Sequence, residues 1–112
     1  MSTPLPIEID CATVKRRLDA HDDIFFVDCR EASEYETCQI AGATLLPMSE
    51  LAARVSELDP FKSKEIIVHC HHGGRSLRVA SWLRKNGFDQ ARSMAGGIDQ
   101  WSLEIDPLVP RY

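Results

Sequence analysis

A thiol, two imidazoles, two glycines, a guanidinium and a hydroxyl follow one another in Cys70-His71-His72-Gly73-Gly74-Arg75-Ser76, an order that suits nucleophilic chemistry on a bound anion. Paired glycines let the backbone curl until successive N–H groups point inward, and a helix starting at Ser76 adds the positive end of its dipole. Such a loop cradles an anion. A thiol in that setting ionises below its ordinary pKa of about 8.5, since cysteines at helix N-termini and beside cations fall at roughly 3.5 to 7.5. Cys70 is therefore read as a thiolate nucleophile. A lone cysteine is more often a buried strand-end residue, but here strand, thiol, glycine pair, arginine and helix start coincide.

The elements that must position this loop can be read on either side of it. Glu65-Ile66-Ile67-Val68-His69 and Ile24-Phe25-Phe26-Val27 are short β-branched or aromatic runs of the kind buried on both faces of a parallel sheet. Weaker strands are expected at 7–9, 43–46 and 91–94. A helix over 76–86 is predicted from Leu77, Ala80 and Leu83 on one face, Arg84 and Lys85 in the last turn, and Gly87 as its stop. Val14 and Leu18 after a possible Asp10 cap predict another, as do Leu51, Val55 and Leu58 after Ser49. Strand and helix alternate throughout, so the expected fold is α/β, with a central parallel β-sheet and helices on both faces. Cys70 then stands at the carboxyl end of a buried strand, where open α/β sheets keep their ligand sites. The closing segment, 105–112, is too rich in proline for a helix and is expected to run extended with its aromatic end anchored.

With 112 residues, 44% of them hydrophobic, the chain is expected to form one domain over 1–112. The formal charge of -4, with no basic run, argues against nucleic acid as a partner. Met1-Ser2-Thr3-Pro4-Leu5-Pro6 has no basic-flanked apolar leader and no run is long enough to span a bilayer, so no membrane association and a cytoplasmic location are expected. Cys11, Cys29, Cys38 and Cys70 are then expected to be free thiols. They include no Cys-x-x-Cys pair, and His69-Cys70-His71-His72 crowds its ligands onto adjacent positions, so neither metal nor cofactor is expected.

The segment Cys70-His71-His72-Gly73-Gly74-Arg75-Ser76 resembles the Cys-x-x-Gly-x-Arg-Ser active loop of the rhodanese sulfurtransferases. Val27-Asp28-Cys29-Arg30, followed by Glu34-Tyr35 and Ile40-Ala41-Gly42-Ala43, resembles the same family's Asp-x-Arg, Glu-Tyr and Gly-His-Ile-x-Gly-Ala segments. Met94-Ala95-Gly96-Gly97-Ile98-Asp99-Gln100-Trp101 is similar to its Gly-Gly-x-x-x-Trp close. The resemblance implies the three-layer rhodanese-like domain and a sulfurtransferase without cofactors. Cys70 would take sulfane sulfur from a donor such as thiosulfate, hold it as a persulfide, and pass it to cyanide, a thiol or a protein. A sulfur-carrier or thiol protein is the implied macromolecular partner.

By the same resemblance, the N–H groups of residues 71–75 stabilise the persulfide, Ser76 opens the helix, and His71 and His72 flank the sulfur entrance. Asp28 supports the loop, either by accepting hydrogen bonds from its backbone or by pairing with Arg75. Arg30 and Glu34 are expected to form a scaffold ion pair, and Arg75 to brace the turn in preference to binding the donor. Cys29 is expected in the core, and becomes a resolving thiol if it lies within disulfide reach of Cys70. Cys38 and Gln39 stand where the family has Gly and His, which predicts an altered turn at 38–41.

Two other readings compete. Cysteine phosphatases and arsenate reductases also resemble a His-Cys…Arg-Ser loop, but they place five residues between Cys and Arg, whereas four, His71 to Gly74, stand here. A sulfur-relay module for a sulfur-carrier protein keeps the chemistry and changes the role. Trp101, Ile105-Asp106-Pro107 and Pro110-Arg111-Tyr112 resemble the tail of rhodanese domains fused to ubiquitin-activating-like enzymes.

Overall fold

The computed structural model describes residues 5–112; Met1 to Pro4, part of the N-terminal stretch read above, lie outside the described residues. Five parallel strands form one sheet in the order β1-β5-β4-β2-β3, with β1 at Glu8–Ile9, β2 at Ile24–Asp28, β3 at Thr44–Leu45, β4 at Glu65–His69 and β5 at Ala91–Met94. Five α-helices connect or follow them: α1 (Cys11–Asp19), α2 (Ala32–Thr37), α3 (Leu51–Arg54), α4 (Gly74–Lys85) and α5 (Gly97–Glu104). Among the described residues, no helix is long and apolar enough to cross a membrane.

The apolar centre of β4 explains why it sits in the middle of the sheet. Ile66 and Val68 face one core with Val27, Val79 and Leu83, which places α3 and α4 on that side. Ile67 faces the other with Val14, Phe26, Ile98 and Trp101, which places α1 and α5 there. Both faces of the sheet are covered, as the unbroken apolar run requires. The Asp10 carboxylate caps α1 by accepting from Thr13 N at 2.7 Å.

Two elements differ from expectation. The helix predicted from Leu51, Val55 and Leu58 after Ser49 is broken into a 3₁₀ turn at Met48–Glu50, the four-residue α3, and a second 3₁₀ segment at Val55–Phe61. Pro60 lacks an N–H and disfavours the α conformation at the residue before it, so an α-helix has little to propagate into. Leu51 and Leu58 are buried all the same, which is what the apolar spacing recorded. The second difference is at α4, which begins at Gly74 instead of Ser76, so Gly74 and Arg75 belong to its first turn. The closing segment is not extended throughout, since Val109 N donates to Asp106 O at 3.0 Å in a turn; Val109 is buried and its carbonyl accepts from Ser102 Oγ at 2.6 Å.

Candidate active site

Cys70 is the first residue beyond β4, and α4 starts four residues later, so its sulfur lies over the first turn of that helix. Gly73 N and Ser76 N donate to Cys70 Sγ at 3.1 and 3.3 Å, and Ser76 Oγ lies 3.4 Å from the same sulfur. Of the N–H groups expected to gather from 71–75, that of Gly73 reaches Sγ; the second comes from Ser76. Ser93 Oγ, on β5, is 2.7 Å from Ser76 Oγ, which also lies 3.2 Å from Gly73 O; with Ser93 as donor, the Ser76 hydroxyl hydrogen can turn from that carbonyl to a thiolate.

The curl rests on two glycines, only one of which is in the predicted pair. Gly73 has φ +103, and a Cβ there would stand 3.1 Å from Gly96 N. Gly74 has no such constraint. Gly97, at the start of α5, would place a Cβ 2.5 Å from the carbonyl oxygens of both Cys70 and His71. That close approach lets Ile98 N and Asp99 N donate to those two carbonyls at 2.8 and 3.1 Å. The loop's first carbonyls are thus tied outward to α5, while N–H groups turn toward the sulfur.

Cys70 is 1% exposed, and burial alone raises a thiol pKa. Hydrogen bonds outweigh it here: the neighbouring Cys29 thiol, then the Ser76 hydroxyl and the Ser76 and Gly73 N–H groups, hold the Cys70 thiol down at about 4. Cys29 shifts the opposite way, pushed far up by its hydrogen bond to Cys70 and by burial. Cys11 is pushed up to about 11 by burial. At neutral pH the structure therefore holds Cys70 as a thiolate beside a protonated Cys29. The ultraviolet absorbance of this thiolate is expected to disappear as pH falls through about 4 and to be missing from Cys70→Ser. Loss of absorbance near 8 instead would mean that the loop does not lower the thiol.

The charged residues are brought together with different partners from those expected. Asp28 contacts neither the loop backbone nor Arg75. It is fully buried and engaged by Arg30, also fully buried, through Nη2 to Oδ2 at 2.7 Å and Nε to Oδ1 at 3.0 Å. Arg30 extends this support by donating to Cys38 O at 2.7 Å. Cys38 itself is extended at φ -163, so the substitution of the family's glycine is accommodated without a left-handed backbone. Glu34 takes Arg75 as its partner, Nη1 to Oε1 at 2.7 Å and Nη2 to Oε2 at 2.8 Å. The Arg75 guanidinium, then the Tyr112 hydroxyl, hold the Glu34 carboxyl down at about 2 despite burial. Arg75 therefore pairs with α2 and not with Asp28.

The sequence pointed to an anchored Tyr112 but not to the groups that anchor it. Its hydroxyl accepts from Arg30 Nη1 at 2.9 Å and donates to Glu34 Oε2 at 2.8 Å, joining the two ion pairs. Its ring stacks on His71 at 3.9 Å between centroids, and His72 lies against the other side of His71, also at 3.9 Å. Of the two histidines, His72 is the open one, with its side chain 67% exposed and 3.9 Å from Asp99. His69 was read only as the strand end; it is fully buried, with Nε2 3.6 Å from Asp28 Oδ2, and burial lowers its pKa so that it stays neutral. Ser93 could have been found, because a serine in the middle of a buried strand needs a hydrogen-bond partner.

A profile of the rhodanese-like domain matches residues 10–104. Rhodanese-like/PpiC domain-containing protein 12, chloroplastic, of Arabidopsis thaliana is 35% identical over 95 residues, covering 81% of this chain, which spans only 31% of that relative's length. A sulfurtransferase of Allochromatium vinosum is 30% identical over 102 residues, covering 91% of this chain and 94% of its own. Among solved structures, a rhodanese-related protein of Thermoplasma volcanium superposes with a TM-score of 0.79 at 28% identity, over 96% of this chain and 100% of that one.

Proposed function

The chain belongs to the rhodanese-like domain family, and on that premise we propose that it transfers sulfane sulfur, carried as a persulfide on Cys70, from a donor such as thiosulfate to a thiophilic acceptor. The observation that carries this reading is a buried sulfur, Cys70 Sγ, that accepts from the N–H groups of Gly73 and Ser76. In the donor step Cys70 Sγ attacks the outer sulfur of thiosulfate, the S–S bond breaks, and sulfite leaves with the electron pair. In the acceptor step cyanide, a thiol or a protein thiolate attacks that outer sulfur, and Cys70 Sγ departs as the thiolate. A low thiol pKa serves the second step directly, because a weakly basic sulfur is the better leaving group. Ser76, with Ser93 behind it, receives the charge as it returns to Sγ. Acceptors of this class include a sulfur-carrier or thiol protein, with Cys70 as the relay point.

Phosphoryl transfer suits the site less well. It needs a guanidinium for the transferred oxygens, whereas both terminal nitrogens of Arg75 are occupied by the Glu34 carboxylate. The test is intact mass after exposure to thiosulfate. One sulfite per chain is expected and, early in the exposure, one added sulfur that cyanide then removes as thiocyanate. An unchanged mass together with hydrolysis of an aryl phosphate would replace this reading with the rival one.

A further inference from the structure

Strands β2 and β4 pair in register from Ile24 with Glu65 to Asp28 with His69, so the next residue of each, Cys29 and Cys70, leaves the sheet beside the other. The ladder continues to that point, since Cys29 N donates to His69 O at 3.0 Å. Neighbouring strands run about 4.8 Å apart, inside the roughly 4.4 to 6.8 Å between Cα atoms that a disulfide spans. Both side chains lie in the same core, with Val27, Val68 and Leu46, and each thiol shifts the ionisation of the other. Cys11 and Cys38 belong to the core on the opposite face of the sheet, out of reach of Cys70.

We infer that Cys29 is a resolving thiol, which converts the Cys70 persulfide into a Cys29–Cys70 disulfide and expels its outer sulfur as hydrosulfide. The inference rests on Cys70 being the sulfur carrier and adds an activity to it, sulfide release. Cys29 Sγ attacks Cys70 Sγ, the bond from Cys70 Sγ to the outer sulfur breaks, and the outer sulfur keeps the electron pair. The Cys29 proton passes to the departing sulfur. A thiol and a persulfide anion thus give a disulfide and HS⁻, the two cysteines being oxidised as the sulfane sulfur is reduced. No external oxidant enters, and a dithiol reductant of the medium restores the starting thiols. Attack within one chain has the advantage of proximity, but a buried, protonated thiol attacks slowly. An acceptor at sufficient concentration therefore takes the sulfur first, and sulfide appears when acceptors are scarce.

The test uses reduced protein freed of added thiol and given thiosulfate under nitrogen, followed by sulfite, sulfide and the mass of the chain after alkylation. The parent protein is expected to release one sulfite and one sulfide per chain and to end two hydrogens lighter, with peptide mapping locating a Cys29–Cys70 bond. Cys29→Ser, and Cys29→Ala as a second variant in case serine disturbs the core, are expected to release one sulfite per chain, at a lower rate where the group that helps to hold the Cys70 thiol down is lost, and to retain the added sulfur and lose sulfide release until a thiol is supplied. A parent protein that keeps its sulfur and yields no sulfide overturns the inference and leaves Cys70 as carrier intact. So does sulfide release that survives in both variants. Absence of sulfite from the parent overturns the carrier reading itself, and this one with it.

Discussion

Replacing Cys70 by serine is expected to bring sulfur transfer from thiosulfate to background, a loss on the order of 10⁴-fold or more, the scale seen when a covalent nucleophile is removed. A serine hydroxyl cannot form a persulfide, and none of the three other core thiols replaces Cys70, Cys38 lying with Cys11 in the core on the opposite face of the sheet. Cys29 is protonated and buried beside it, and Cys11 is held up at about 11 behind the opposite face of the sheet. The fold should tolerate the change, because an oxygen at the same position can accept from Gly73 N and Ser76 N, so a stability change within about 1 kcal/mol is expected. Sulfite release from thiosulfate and thermal unfolding, measured on the same preparation, separate the two effects. Transfer persisting in a folded Cys70→Ser protein would move the chemistry to another residue and remove the basis of the proposed function.

That expectation was legible in the chain because the features behind it are local. A buried strand, a cysteine at its end, a glycine that must take a positive φ and a helix start lie within a dozen consecutive residues, and each has a sequence signature. The parallel sheet was legible for a similar reason: β4 is apolar on both faces and can only be a central strand. The helix predicted over 76–86 ends near its stop at Gly87 but begins two residues early, because Gly74 and Arg75 take helical conformation despite a glycine's low propensity. There the N–H of Ser76 is needed on Cys70 Sγ, and winding the first turn from Gly74 brings it there.

Ion-pair partners were not legible, because they depend on how far a long side chain travels after leaving its own element. Arg30 is two residues from Asp28, and two residues along a regular strand share a face; the guanidinium nevertheless has to fold back to reach the carboxylate, which the end of β2 at Asp28 permits. Arg75 leaves the first turn of α4 toward α2, and Glu34 is the carboxylate waiting there. Tyr112 reaches the site across 78 residues of sequence, so no spacing rule could connect it with Glu34. The same tyrosine covers His71, which is why one of two adjacent histidines is stacked and the other open.

Arg30→Met should give the largest loss of stability of any single substitution near the site. The Asp28 carboxylate is fully buried and its charge is met by Arg30, so the variant leaves a buried charge without its partner. Breaking a buried pair in this way costs about 3 to 5 kcal/mol, a large share of the roughly 5 to 15 kcal/mol that holds an ordinary domain folded. Methionine fills much of the arginine's volume, so the loss reads electrostatics and hydrogen bonds more than a cavity. Adding Asp28→Asn to Arg30→Met removes the stranded charge and is expected to recover part of the loss. It should not recover all of it, since Cys38 O and the Tyr112 hydroxyl still lack the donor that Arg30 supplied. Urea unfolding of parent, single and double variants gives the order: parent most stable, double variant next, Arg30→Met least. Equal stability of the single and double variants would mean that Asp28 carries no uncompensated charge in the absence of Arg30. A loss below about 1 kcal/mol, the scale of an exposed pair, would mean that water reaches this carboxylate, and the Arg30 bridge from Asp28 to Cys38 and Tyr112 would then not be what holds those groups together.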